Sequence, residues 1–167
     1  MSKKIADNGE LKVSKIKSGT VIDHIAAGTA LLVLEMLEIT GREGTMVTLS
    51  LNVPSKKKTK KDIVKIEDRF LDKQEINQIS LISPNATINE IKNYNVVNKF
   101  QVELPAEVRG FPKCINPKCI TNAREPPKHS YAVKSSNPLK IRCKYCNTNM
   151  DKNDIVKMLT KYQGLTK

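Results

Sequence analysis

Through the N-terminal part of the chain, hydrophobic and polar positions alternate in short runs, interrupted twice by helical spacing. Leu11 and Val13 alternate with Lys12 and Ser14, which predicts a strand over roughly 11–16. Gly19 and Thr20 then turn the chain, and Val21-Ile22 leads to Asp23, a residue type suited to an N-cap. A helix is predicted over roughly 24–39. Ile25, Leu31, Leu32, Val33, Leu34 and Leu37 place apolar groups on more than one of its faces, so it should be packed on two sides. Gly41 and Gly44 end it. Val47, Leu49, Leu51 and Val53 alternate with Thr48, Ser50 and Asn52 up to Pro54, a strand pattern. Ile63, Val64 and Ile66 predict another strand over roughly 62–68. Asp72, with Glu75 three residues later, has the form of a capping box, followed by Ile76, Ile79 and Ile82 at helical spacing. Pro84 and Asn85 stop that helix. The β-branched run from Thr87 to Val102, with a turn at Asn93–Asn95, gives one or two strands.

The order β-α-β-β-α-β, with one further strand possible, is that of the split βαβ unit. The predicted class is α+β: a ferredoxin-like antiparallel sheet with two helices on one face. Its other face is left for a second chain or a ligand. A small C-terminal zinc-bound β domain with a terminal helix completes the class. That helix spans roughly 153–162, with Ile155, Val156, Leu159 and Tyr162 on one side and Gly164 placed to close it. The expected organisation is a flexible arm at 1–10, a sheet domain at 11–103, a linker at 104–113 and a metal domain at 114–167. The linker reading rests on two prolines and a glycine between Leu104 and Lys113.

Charge narrows the partners. The chain has 29 basic and 17 acidic residues, for a net charge of +12, which favours anionic ligands. Lysine is concentrated in the loop 56–61. With no Trp, four Tyr and three Phe, a platform for stacking bases is hard to build, which counts against nucleic acid. The most apolar stretch, Ala26 to Leu37, contains Glu35 and is too short to span a bilayer. Met1 to Asp7 turns polar at once, so no signal-peptide core is expected and a cytoplasmic location is. In a reducing compartment, grouped cysteines are more often metal ligands than disulfides.

All four cysteines lie within 33 residues, spaced Cys114-x4-Cys119-x23-Cys143-x2-Cys146. Two short-spaced pairs supply the four soft corners of a tetrahedral zinc site. A redox dithiol needs one exposed pair and has no use for a second. Four protein ligands leave no position for water or substrate, so the metal is expected to be structural and part of the folding free energy. His129, in the segment between the pairs, reads as a loop residue rather than a ligand. No nucleophile elbow, phosphate loop or dinucleotide fingerprint is present, and no catalytic residue is assigned.

Several ordered segments are distinctive: Gly19-Thr-Val-Ile-Asp-His-Ile25, Leu51-Asn-Val-Pro-Ser55, Lys61-Asp-Ile-Val-Lys-Ile-Glu67, Ala86-Thr-Ile-Asn89 with Asn93-Tyr94, and the two cysteine turns. Together, over about residues 11–160, they resemble the regulatory chain of aspartate carbamoyltransferase. The resemblance implies a non-catalytic allosteric subunit in pyrimidine biosynthesis that binds CTP, ATP and UTP. It implies a self-dimer through the N-terminal domain and a zinc domain docked on the catalytic chain, bridging catalytic trimers in a complex of six and six chains. By motif position, it places an effector site at Val13, Ile16, Lys17, Asp23, His24, Lys61, Lys65, Asn89, Tyr94, Val96 and Lys99. A triphosphate, with about four negative charges, needs several cations of this kind. A basic zinc-ribbon protein that binds nucleic acid is the rival reading, carried by the net charge and the lysine loop. The loop 56–61, the absence of proline in His24–Gly28 and the tail 163–167 depart from the family pattern.

Overall fold

The computed structural model describes residues 15–56 and 59–162. Its elements are β1 (Gly19–Ala26), α1 (Ala30–Met36), β2 (Val47–Pro54), β3 (Lys60–Glu67), α2 (Lys73–Ile82), β4 (Thr87–Lys92) and β5 (Asn95–Gln101), followed by β6 (Glu107–Arg109), β7 (Ser130–Ser136), β8 (Leu139–Cys143), β9 (Asn149–Asp151) and α3 (Lys152–Tyr162). The first sheet has strand order β2-β3-β1-β4-β5 with every pair antiparallel. That is the split βαβ arrangement with one strand added at the β4 edge. The second sheet runs β6-β7-β8-β9, also antiparallel.

The first strand differs from the sequence reading. Leu11 to Ser14 of the strand expected at 11–16 lie outside the described residues, and Lys15 and Ile16 precede β1 without joining it. The observed β1 occupies the segment read as a turn and a helix start. Thr20 and Ile22 point to the helix side and are fully buried. A bulge between Ile22 and Ile25, with His24 at φ 56°, resets the alternation so that Ile25 is buried too. That extra residue makes a strand look helical in sequence, because it places Ile22 and Ile25 three apart.

The helix expected at 24–39 is therefore the shorter α1, and Asp23 is not its cap. Thr29 holds the N-cap position without a side-chain cap bond. The cap comes from β3 instead. The carboxylate of Asp62, 0% exposed, accepts from the amides of Gly28, Thr29 and Ala30 at 2.8, 3.1 and 3.2 Å. Its other oxygen accepts from Asn52 N at 2.8 Å, in the bulge of β2. Four amide donors offset the cost of burying this charge.

The helix α2 starts with the expected capping box. Glu75 N donates to Asp72 Oδ1 at 2.8 Å, and Asp72 N to Glu75 Oε2 at 2.9 Å. Arg69 bonds Glu75 at 2.6 Å and the carbonyl of Leu37 at 3.1 Å, so it ties the end of α1 to the start of α2.

Two apolar clusters meet at the helices. Ala30, Val33, Leu37 and Ile79 pack on the first sheet with Ile22, Val64, Ile66 and Ile88. Met36, Leu81 and Ile82 join the second sheet's core of Val108, Tyr131, Ile141, Met150, Ile155 and Leu159. Each buried Val, Leu, Ile or Met among them contributes roughly 1.5–3 kcal/mol by leaving water. The second packed side of α1 is thus the chain's own C-terminal domain, met chiefly through α3. Part of the segment expected as a linker, Glu107–Arg109, forms β6, because Val108 (1% exposed) is anchored in that core and pairs with Tyr131. Gly110 follows at φ 80°, and the Gln74 amide fills the place a Cβ would take.

Replacing Asp62 with Ala should leave four amides without their carboxylate partner, that of the buried Ala30 among them. We expect a loss of about 3 kcal/mol or more, read as a fall in the urea midpoint of unfolding. An unchanged midpoint would contradict the capping role.

Candidate metal centre and effector face

The second sheet exists to hold two loops. Cys143 ends β8, and the turn to β9 carries Cys146, with Asn147 at φ 61°. Cys143 N donates to Thr148 O and Asn147 N to Cys143 O, closing that turn. In the other loop Asn122 Nδ2 donates to the carbonyls of Cys114 and Asn116 at 2.7 and 2.8 Å. The hydroxyl of Tyr131, fully buried, donates to Pro112 O at 2.7 Å and fixes the approach to Cys114.

The four sulfurs lie within 4.8 Å of one another. Cys114 and Cys146 Sγ are 3.5 Å apart, and Cys119 and Cys143 Sγ 3.8 Å. A tetrahedral zinc with Zn–S near 2.3 Å requires sulfurs about 3.8 Å apart, so the cluster fits one such ion. Burial pushes the thiols of Cys114 and Cys143 up, whereas the Thr148 hydroxyl and nearby amides hold Cys146 down to about 6. A bound cation supplies the charge that lets buried thiolates persist. Around them, Thr121 Oγ1 donates to Cys119 Sγ at 3.1 Å and Thr148 Oγ1 lies 3.2 Å from Cys146 Sγ. All four positions are filled by sulfur, which leaves the site closed to substrate.

His129 lies outside the cysteine group, as a loop residue stacked on Tyr131 with ring centroids 6.5 Å apart. Lys144, between Cys143 and Cys146 in the chain, is engaged by Glu107. Together with Ser130 and Arg109, it holds that carboxyl near 2.

On the first sheet, the face turned away from the helices gathers several of the expected residues. Lys65, Val21, Asn89 and Lys99 are successive register partners on β3, β1, β4 and β5, so they form one row across four strands. Asn89 Nδ2 donates to Val21 O at 3.3 Å. At the end of β1, Lys61 Nζ is 2.8 Å and His24 Nδ1 3.3 Å from the Asp23 carboxylate. Burial draws the Lys65 ammonium below its usual pKa. Lys17 and Tyr94 meet through Tyr94 N donating to Lys17 O at 2.9 Å, and the Tyr94 side chain is exposed. Val96 is exposed on β5, Ile16 is buried and Val13 lies outside the described residues.

A cleft of about 450 Å³ adjoins this face, lined by His24 and Lys61 together with Ser55, Thr59, Lys60, Thr87 and Gln101. Sequence reasoning missed the last five. Gln101 reaches the site only because it pairs with Thr87, which pairs with Asp23. A larger cavity of about 620 Å³ lies elsewhere, between the end of α2 and the second sheet, with Lys152 as its one cation.

Two family models match the chain. Residues 11–103 match the allosteric domain of the aspartate carbamoyltransferase regulatory chain, and residues 106–156 match its metal binding domain. The chain belongs to the aspartate carbamoyltransferase regulatory chain family. Regulatory chains of Korarchaeum cryptofilum, Pyrococcus horikoshii and Saccharolobus solfataricus are 52%, 51% and 50% identical to it over 152, 148 and 150 residues. These alignments cover 90%, 88% and 90% of this chain and 97%, 97% and 94% of the relatives. As a regulatory chain it is a non-catalytic component whose partner is a catalytic chain. Among the described residues no helix is long and apolar enough to cross a membrane.

Replacing Cys114 with Ser should lower bound zinc from about one equivalent per chain to near zero and unfold the second sheet, because metal binding is part of its folding free energy. Metal content and circular dichroism check this. A folded variant that keeps its zinc would contradict the assignment.

Proposed function

We propose that this regulatory chain binds nucleoside triphosphates on the open face of its first sheet and transmits their presence to a catalytic chain through the zinc domain. The observation that carries this is the juxtaposition of the Lys65–Val21–Asn89–Lys99 row with the Asp23–His24–Lys61 group. A row with lysines at both ends and an amide between them, beside a cleft lined with hydroxyls, suits a sugar and base at one end and phosphates at the other. Asp23 accepts from ribose hydroxyls, while Lys61, Lys99 and His24 face the phosphate charge. Lysine suits this task as a mobile point charge. Ile16, Lys17, Tyr94 and Val96 border the base, with Val13 preceding them in the chain.

In this reading residues 11–103 sense the effector and residues 114–167 dock on the catalytic chain. The first-sheet domains pair two regulatory chains, and the assembly holds six of each kind in the cytoplasm. CTP, ATP and UTP are the effectors. Binding of effector and substrate is then reciprocally coupled.

Calorimetric titration of the purified chain with CTP and ATP tests the site. Binding of at least one is expected, and Lys61→Ala should weaken it about tenfold or more, the loss of one charge-assisted contact of about 1.5–3 kcal/mol. No heat from either nucleotide at millimolar concentration would sink the reading.

A further inference from the structure

The open face and the zinc sheet lie on opposite sides of α1 and α2, so any signal must cross the first sheet and then the helices. A polar cluster built around the buried Asp62 and Ser83 lies on that route. Lys61, whose ammonium holds Asp23 at 2.8 Å, is followed in β3 by Asp62, which alternation sends to the helix side. There Asp62 accepts from Gly28, Thr29 and Ala30 at the start of α1, and from Asn52 in the β2 bulge. Thr29 Oγ1 donates to Ala26 O at 2.7 Å and lies 3.2 Å from Ser83 Oγ. Ser83 closes α2, is 1% exposed, and accepts from Ala26 N at 3.3 Å. It also borders the cleft that contains His24 and Lys61.

This one cluster therefore joins the end of β1, the bulge of β2, the start of β3, the first turn of α1 and the last turn of α2. The two helices carry Met36, Leu81 and Ile82 into the core of the zinc sheet. Buried polar groups must keep partners, so elements joined through them move together rather than slide independently.

We propose that Asp62, Thr29 and Ser83 form a coupling node. An anion held at His24 and Lys61 displaces the end of β1 and the Lys61-Asp62 step. The node then passes that displacement to the ends of α1 and α2, and the helices tilt the zinc sheet. The inference rests on the effector reading of the cleft. The three residues act as positioning residues, and their signature is lost coupling with retained binding.

The test uses the full complex with its catalytic chain. Thr29→Val keeps the shape of the side chain and removes both of its hydroxyl contacts. It should leave nucleotide affinity within about threefold while reducing the nucleotide-induced shift in half-saturation for aspartate by about twofold or more. Asp62→Asn should reduce the shift further. Hydrogen exchange in the unaltered protein provides a readout that needs no variant to fold: amides 28–37 should change their exchange rates on saturation with nucleotide. A Thr29→Val complex that binds nucleotide normally and keeps the whole shift would overturn the node. So would unaltered exchange at 28–37 in nucleotide-saturated protein. Failure of the unaltered complex to bind nucleotide at all would remove the effector reading, and the node with it, which the titration distinguishes from the other two results.

Discussion

Four sulfurs held within 4.8 Å of one another are a constraint that a divalent cation satisfies at a single point. Three of the four cysteines are buried, where a lone thiolate is costly and a thiol ligates nothing. With a divalent ion at the centre the cysteines add a second anchor to the apolar core of this sheet. Two of its four strands, β6 and β9, are three residues long. Cys114, Cys119 and Cys143 belong to the same core cluster as Tyr131 and Ile141. Fixing the sulfurs therefore fixes the apolar surface that this sheet offers to α1 and α2.

That surface makes the two helices a shared layer. Val33 and Ile79 serve the first sheet, while Met36, Leu81 and Ile82 serve the second. Neither sheet could be removed without exposing a stripe of helix. The two families of strands thus meet through α1, α2 and α3, with β6 also against α2.

Much of this was legible in the residues. The cysteine spacing gave the metal site because the ligands are local pairs, and the Asp72–Glu75 box marked the start of α2 because capping is local too. Alternation located β2 and β3 for the same reason. What failed was non-local. The bulge at Asp23–His24 disguised β1 as a helix, and the true cap of α1 sits far along the chain at Asp62. The open face was legible only in part. Lys61, Lys65, Asn89 and Lys99 came from resemblance to a family, not from any pattern along the chain, because neighbours across strands are set by register. Thr87 and Gln101 went unnoticed for that reason.

The capping of α1 has a consequence for how the chain comes together. Seven residues are too few to hold a helix in water, since nucleation costs more than so short a run returns. Both ends of α1 are secured by later parts of the chain, Asp62 at its start and Arg69 at its finish. During synthesis the segment from Ala30 to Met36 thus leaves the ribosome well before either partner exists. It becomes helical only once β3 has docked beside β1. In kinetic language α1 is a late, long-range element, formed by the sheet rather than forming it.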